Sequence, residues 1–459
     1  MRLLFLLVAA WWCSVSAAQP LPAEVDAALA RARLPRDAVT LLVADVDPAV
    51  PPRLAHRVNA PMNPASIAKL ATTFAALELL GPAFTWSTPV YVDGPIVGRV
   101  LQGNLYLKGQ GDPKLVHERL WLLIRRLHAL GIDRVAGDIV LDRSAFEPIA
   151  GDPAAFDGEP LRPYNALPDA LLLNFKAVAL TFTPQPGGTA RVVAEPPLAG
   201  VEFPATVPLA AGDCGDWRTG LLLAFPAPTR AQFGGSYAAA CGERTWPIAA
   251  PDGAGYTARL VASMWQEAGG TVGGQVREGR APTGLGPIAE SVSPSLAEVV
   301  RDINKYSNNV MAQQVFLTLS LKARGMGSRQ GSRELLRAWW RERFAGEPPQ
   351  FDNGSGLSRD ERITAAQLAQ LLQYAWASPL MPELAASLPV AGTDGTLRRT
   401  KAALGAHLKS GSLRDVQGVA GYVHLPGGRR LVLVAIANHP NAGGMRPVIE
   451  AVLAWLAAK

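Results

Sequence analysis

The spacing of apolar residues near the start of the chain predicts a buried strand followed by a helix. Val39 to Val46 (VTLLVADV) is a run of aliphatic and β-branched residues, which is typical of a buried strand. A second apolar pattern starts after Ser66 and ends before Gly81-Pro82, with a spacing of three and four at Ile67, Leu70, Phe74 and Leu77. We expect Ser66 in the first turn of an amphipathic helix, with Lys69 on the same face.

Patterns in the second half of the chain predict further helices and a hairpin. The segment Ser295 to Glu298 (SLAE) matches a capping box, and the helix that it opens runs towards Ser307. Val419 to Leu425 and Arg430 to Ala437 flank a Pro-Gly-Gly turn, and Pro447 opens a last helix. The fold class that we expect is α/β (α+β), with one antiparallel sheet, built from both ends of the chain and flanked by helices.

A long insertion separates these two parts. About 240 residues lie between Ser66 and Ser307, which is more than a compact α/β domain needs to connect two helices. The stretch is β-rich and punctuated by glycine turns, and we divide it near Leu167. The expected domains are a signal peptide at 1–18, a first catalytic part at 19–89, inserted subdomains at 90–166 and 167–287, and a second catalytic part at 288–459.

The first residues match a secretory signal peptide. One arginine precedes the apolar run Leu3 to Trp12, which is too short to span a bilayer, and small residues follow it. We expect cleavage after Ala17 or Ala18, which also removes Cys13, and export to the periplasm without a transmembrane anchor. A buried N-terminal strand is the alternative.

Composition narrows the class of protein. Of 459 residues, 49% are hydrophobic and 18% charged, so the chain can bury a substantial core. The net charge of +6 is dispersed, which argues against nucleic acid and is compatible with an anionic cell-wall polymer. Export leaves Cys214 and Cys241, and we expect them to form a disulfide; two reduced buried thiols are the alternative.

Three short motifs carry the candidate chemistry: Ser66-Ile67-Ala68-Lys69, Ser307-Asn308-Asn309 and Lys409-Ser410-Gly411. Each is weak alone, because short patterns recur by chance in a chain of this length. Their conjunction in this order, with the first at a helix start and the third before a hairpin, is specific. A serine with an amine one helical turn away is the arrangement that acyl transfer needs.

The residue types suggest a role for each motif position. Ser66 would attack a carbonyl carbon and Lys69 would accept its proton, which requires the pKa of Lys69 to fall from about 10.4 towards neutrality. Burial and the second cation, Lys409, both act in that direction. Ser307 can relay a proton to the leaving amine. Asn309 can hold the substrate backbone, although it could also merely cap the following helix.

The third motif would bind the end of the substrate. Lys409 with the hydroxyls of Ser410 and Ser412 would bind a carboxylate on the leaving residue, and Gly411 would let the substrate backbone approach. The backbone amides of Ser66 and Ser412 would form the oxyanion hole. Alternatively, Lys409 is an edge-strand charge that discourages aggregation.

The three motifs resemble the signatures of penicillin-recognising serine enzymes. The insertion between the first two resembles that of the class C low-molecular-mass penicillin-binding proteins, the D-alanyl-D-alanine carboxypeptidase/endopeptidases. Further stretches resemble the same family over most of the mature chain, namely Gly235 to Trp246, Asp352 to Arg359, Asp394 to Leu397 and Ala420 to Tyr422.

The resemblance implies removal of the terminal D-Ala from peptidoglycan stem peptides, cleavage of D-Ala cross-links and acylation by β-lactams, without a cofactor. Two positions depart from the family pattern. Ser410 stands where threonine is usual, which keeps the hydroxyl, and Asn308 stands where aspartate is frequent. Neither departure changes the assignment.

Other chemistries fit less well. The six histidines form no His-Glu-x-x-His or clustered metal motif, so we expect neither a zinc peptidase nor a bound metal. A β-lactamase is the runner-up, although it needs a carboxylate for deacylation and no persuasive Glu-x-x-x-Asn segment is found. A non-catalytic binder of cell-wall peptides is a further alternative, but such a binder needs no activated hydroxyl at Ser66.

Overall fold

The computed structural model describes residues 20–401 and 405–458, and the predicted signal peptide with Cys13 lies outside the described residues. The α-helices are α1 (Ala23–Arg31), α2 (Lys69–Leu80), α3 (His117–Ala129), α4 (Trp217–Gly220), α5 (Tyr256–Glu267), α6 (Leu296–Tyr306), α7 (Asn309–Arg324), α8 (Arg329–Arg343), α9 (Ala365–Ala377), α10 (Met381–Ser387) and α11 (Met445–Ala457). Within these ranges, none of the helices is long and apolar enough to cross a membrane.

The strands are β1 (Val39–Asp45), β2 (Leu54–His56), β3 (Ser87–Val92), β4 (Ile96–Val97), β5 (Val100–Leu101), β6 (Leu105–Lys108), β7 (Arg134–Val135), β8 (Ile139–Asp142), β9 (Ala177–Gln185), β10 (Thr189–Glu195), β11 (Thr206–Ala210), β12 (Leu223–Ala227), β13 (Arg230–Phe233), β14 (Tyr237–Ala238), β15 (Arg244–Ala249), β16 (Thr271–Val272), β17 (Val276–Glu278), β18 (Ala289–Val292), β19 (Gly405–Leu413), β20 (Val416–His424) and β21 (Arg430–Asn438).

A five-stranded antiparallel sheet in the order β19-β20-β21-β1-β2 forms the centre of the catalytic region. It joins both ends of the chain, so the predicted sheet, the strand from Val39 and the C-terminal hairpin are confirmed. Both faces are covered, because side chains alternate along each strand. On β21, Leu431 and Leu433 pack towards α1 and α11, whereas Val432 and Val434 pack towards α2 and α9.

Helix α2 is not the amphipathic helix that its spacing predicts. Every residue from Lys69 to Leu77 is buried, because the sheet covers one side of the helix while α6, α7 and α8 cover others. Ser66 also precedes α2, in a 3₁₀ turn, instead of lying within its first turn. The helix does end at Gly81, whose φ of 83° is readily adopted only by glycine.

The insertion pairs its strands across the predicted division at Leu167. Strands β3, β6, β8, β17 and β18 form one sheet and β4, β5, β7 and β16 another, whereas β9, β10, β11, β14 and β15 form a third. The parallel neighbours β8 and β17 need a long crossover, and the segment 177–249 lies within it. We therefore propose that residues 87–142 and 256–292 form one inserted subdomain and 177–249 the other.

Candidate active site

Ser66 lies in the 3₁₀ turn Ala65–Ala68, directly before α2. Asn63 fixes the approach to this turn. Its Oδ1 accepts a hydrogen bond from the Ala65 amide at 2.9 Å, and its Nδ2 donates to the Ser358 carbonyl oxygen at 2.9 Å. This hydrogen bond ties the turn to the loop between α8 and α9. Asn63 and Ser358 are 295 residues apart in the sequence.

Two glycines let other segments pack directly onto this turn. A Cβ atom at Gly356 would overlap the carbonyl group of Ala65, and one at Gly411 would lie 2.5 Å from the carbonyl oxygen of Pro64. Only a residue without a side chain fits at such an approach. The turn that carries Ser66 is therefore enclosed by a loop on one side and by β19 on the other.

The amine of Lys69 connects the first motif to the second. Its Nζ donates to Ser66 Oγ at 2.8 Å and to Asn309 Oδ1 at 2.7 Å, and it also donates to the carbonyl oxygen of Ser355. The side chain is fully buried. An amine in this position is held by three acceptors, one of which is the candidate nucleophile.

The second motif occupies the junction between α6 and α7. The Ser295–Glu298 capping box at the start of α6 is confirmed, and Ser307 follows the helix in the left-handed conformation with φ 57°. Asn308 is the N-cap of α7, since its Oδ1 accepts from the Met311 amide at 3.0 Å. The alternative that Asn309 is the cap is therefore wrong, and the Asn309 side chain instead contacts Lys69.

The third motif meets the second through Lys409. Its Nζ donates to Ser307 Oγ at 2.9 Å and to the Ser410 carbonyl oxygen at 2.7 Å. Lys409 is fully buried although β19 is an edge strand, so the alternative of a solvated edge charge is wrong. The Ser410 hydroxyl lies 2.5 Å from Thr396 Oγ1, and Ser412 is exposed further along the strand.

The surroundings lower the pKa of both lysines. Loss of hydration holds the pKa of Lys69 well below its usual value, and the nearby Lys409 charge lowers it further, while Glu361 acts in the opposite direction. Burial lowers the pKa of Lys409 to about 7. The direction of these shifts favours a neutral amine at Lys69, which is the form that a general base requires.

Three groups that lie beside the motifs are not predicted from the sequence. They are the Ser355 carbonyl on Lys69, the Thr396 hydroxyl on Ser410, and Glu361, a carboxyl that is 2% exposed and whose pKa burial raises to about 7. A backbone carbonyl has no signature, since every residue carries one. The segments around Ser355 and Thr396 stand out only through the family resemblance.

The predicted disulfide between Cys214 and Cys241 is present in the insertion, with the two Cα atoms 4.7 Å apart. The alternative of two reduced thiols is wrong. In the part of the chain that the structure describes, no group of three or more His, Cys, Asp or Glu side chains could hold a metal ion.

The chain matches the D-Ala-D-Ala carboxypeptidase 3 (S13) family over residues 21–459. It is 30% identical over 410 residues to the D-alanyl-D-alanine carboxypeptidase of Actinomadura sp. (strain R39), which covers 83% of this chain and 74% of that relative. It is 24% identical over 400 residues to the D-alanyl-D-alanine carboxypeptidase DacB of Haemophilus influenzae, with coverage of 84% and 82%.

Solved structures show the same fold. Penicillin binding protein 4 (dacB) from Haemophilus influenzae superposes with a TM-score of 0.73 at 21% identity, over 94% of this chain and 99% of that one. A second structure of that protein, complexed with a β-lactam, has a TM-score of 0.71. The predicted α/β fold and the predicted resemblance to class C penicillin-binding proteins are confirmed. The chain belongs to the D-Ala-D-Ala carboxypeptidase 3 (S13) family and is a serine-type carboxypeptidase.

Proposed function

We propose that the chain is a periplasmic D-alanyl-D-alanine carboxypeptidase and endopeptidase that acts on peptidoglycan stem peptides through an acyl-enzyme on Ser66. The observation that carries the proposal is the 2.8 Å hydrogen bond between the buried Lys69 Nζ and Ser66 Oγ. Because the pKa of Lys69 is strongly lowered, its neutral amine can form; the Ser66 hydroxyl would then donate to Nζ across the same contact and pass its proton to it as the oxygen attacks the carbonyl of the penultimate D-Ala.

The second motif would complete the acylation step. Ser307, which accepts a 2.9 Å hydrogen bond from Lys409, would relay the proton held by Lys69 to the leaving amine, while Asn309 would bind the substrate backbone. The Ser66 ester forms as the peptide bond to the terminal D-Ala breaks, and the backbone amides of Ser66 and Ser412 would stabilise the oxyanion. Water then hydrolyses the ester and restores the serine.

The third motif would hold the leaving residue. A protonated Lys409 together with the hydroxyls of Ser410 and Ser412 would bind its carboxylate, and Gly411 would admit the backbone. A cross-linked dimer offers the same bond with a larger leaving group, which is why we include endopeptidase action. The predicted signal peptide supports a periplasmic location, where this substrate lies.

β-Lactams would acylate the same serine. The β-lactam complex of the Haemophilus influenzae protein, which shares the fold of this chain, supports this proposal. The lifetime of such an adduct separates the remaining alternatives. A D-alanyl-D-alanine carboxypeptidase holds it for a long time, a β-lactamase releases it quickly, and a non-catalytic binder forms none.

The test combines a fluorescent penicillin with defined muropeptides. We expect the purified mature chain to form one long-lived adduct, to remove one D-Ala from monomeric pentapeptides and to split cross-linked dimers, with all three activities lost in Ser66→Ala. Intact mass and product chromatography measure these outcomes. A folded wild-type chain that neither forms the adduct nor releases D-Ala contradicts the proposal.

A further inference from the structure

The loop over residues 352–361 forms one wall of the candidate site, and Glu361 closes its base. The Asp352 amide donates to Glu361 Oε1 at 3.2 Å. At the tip of the loop, the Gly354 carbonyl oxygen accepts from Thr72 Oγ1 at 2.8 Å. The next carbonyl, that of Ser355, accepts from the amine at the start of α2. The loop therefore rests on α2 through its carbonyls; the Asn353 side chain holds its tip, and the Glu361 carboxyl joins its two ends.

The environment of Glu361 is unusual for a group with only a structural role. The residue is 2% exposed, and its Oε2 is buried without a hydrogen-bond partner among the residues that the structure describes. Burying a carboxyl with an unpaired oxygen is unfavourable, and an amide side chain would close the loop without that charge. A buried carboxyl with an unpaired oxygen beside the loop that contacts Lys69 points to a use for the acidic group.

The charge of Glu361 acts on the amine of Lys69. Glu361 raises the pKa of Lys69, and Lys69 in turn opposes the upward shift that burial gives the pKa of Glu361. Two further charges face this pair. Lys409 lowers the pKa of Lys69 from the side of β19, and the Asp352 carboxylate raises the pKa of Glu361. Arg333 holds Asp352, donating to its carbonyl oxygen at 2.7 Å and to its carboxylate.

We propose that Glu361 is a positioning residue for the reaction: it closes the 352–361 loop onto α2 and places a buried carboxyl at the base of the loop whose Ser355 carbonyl accepts from Lys69. The proposal rests on the proposed function, since it concerns the general base of that reaction. When ionised, the carboxylate favours the protonated form of Lys69. When protonated, it no longer opposes the lowering of the pKa of Lys69.

The test is the pH dependence of penicillin acylation in Glu361→Gln. Glutamine keeps the shape of the side chain and the acceptor for the Asp352 amide but removes the charge. Without the carboxylate the pKa of Lys69 falls, so the neutral base forms at lower pH. We expect the rising limb of the acylation rate to move towards acid pH. A limb that coincides with that of the wild type overturns the proposal.

Two further variants separate charge from loop structure. Thr72→Val removes another contact to the same loop without changing a charge, so it should lower the rate and leave the limb in place. Glu361→Asp keeps the charge but withdraws it by one methylene, so its limb should lie between those of wild type and Glu361→Gln. If Glu361→Gln does not fold, the test uses Glu361→Asp. A rising limb of the acylation rate at the wild-type pH in that variant contradicts the proposal. Loss of acylation at every pH in the wild type would instead refute the proposed function.

Discussion

Lys409 is fully buried and its pKa is about 7, so it loses its charge within the neutral range, and the pKa of Lys69 is held well below its usual value. The two amines lie in one site, and the surroundings disfavour the charged form of both. Loss of hydration is the largest influence on both, and for Lys69 the charge of Lys409 adds to it. One amine is suited to accept a proton and the other to bind an anion.

We expect kcat/KM for a substrate with a free C-terminal carboxylate to fall as the pH rises through about 7. Above its pKa, Lys409 is neutral and no longer attracts the carboxylate. In the complex the bound carboxylate raises that pKa, so the fall in kcat should lie at higher pH than the fall in kcat/KM. The rate of D-Ala release, measured between about pH 5 and pH 10, gives the falls of both kcat and kcat/KM.

A substrate with an amidated C-terminus is the matched control. It offers no carboxylate, so its kcat/KM should not fall as Lys409 loses its charge. Lys409→Arg keeps its charge over the whole range and should flatten the limb as well. The assignment of the limb to Lys409 is wrong if the acid and the amide substrates lose activity at the same pH.

At the scale of elements, two adjacent residues at the junction of α6 and α7 have different roles: one caps a helix and the other contacts the site. The side chain of Asn308 caps α7, and that of Asn309 contacts Lys69, the proposed general base. The left-handed conformation of Ser307 turns the chain between the two helices, so that the second motif points into the site. A motif that is continuous in sequence thus has distinct structural and functional members.

Asn308→Ala and Asn309→Ala should therefore have opposite effects. Loss of the cap should lower the free energy of unfolding by about 1 kcal/mol and leave the acylation rate near that of the wild type. Loss of the Asn309 amide should reduce acylation by about 10- to 100-fold, the value of a hydrogen bond to a charged or reacting group. Urea unfolding and penicillin acylation measure the two quantities. Equal slowing of acylation in both variants would contradict this division.

The sequence predicts helices and strands whose apolar residues recur at regular spacing, and it predicts the site residues that belong to short motifs. The strand from Val39, the capped helix after Ser295 and the meeting of Ser66, Lys69 and Asn309 are examples. It does not predict contacts made by the backbone, because a carbonyl such as that of Ser355 is independent of residue type. It also does not predict which strands pair in the insertion, because short strands carry little register information of their own.

At the scale of the molecule, the insertion has its own core and its own covalent link. Cys214 and Cys241 join two segments of the sheet region 177–249, away from the motif residues. In the chain-entropy model, a link that closes a loop of 27 residues stabilises the folded chain by about 3 kcal/mol. The inserted region and the catalytic region can therefore be perturbed separately.

Replacing both cysteines with serine should lower the stability of the insertion by about 3 kcal/mol while penicillin still labels Ser66. The reason is that the motif residues lie in the 3₁₀ turn before α2, on α2 itself, on β19 and at the α6–α7 junction, none of which contains the disulfide. Thermal unfolding measures the loss of stability, and formation of the penicillin adduct measures the labelling of Ser66. A reductant should destabilise the wild type and leave the double variant unchanged; a folded double variant that fails to form the adduct would contradict the expected separation.

The close approach of Gly356 and Gly411 to the turn of Ser66 has a consequence for biosynthesis. Both glycines follow the insertion in the sequence, so a growing polypeptide carries the serine long before the segments that enclose it are translated. We expect the hydroxyl to stay inert until the C-terminal region has been made and docked. A covalent probe of this serine would therefore count only chains whose synthesis and folding are complete.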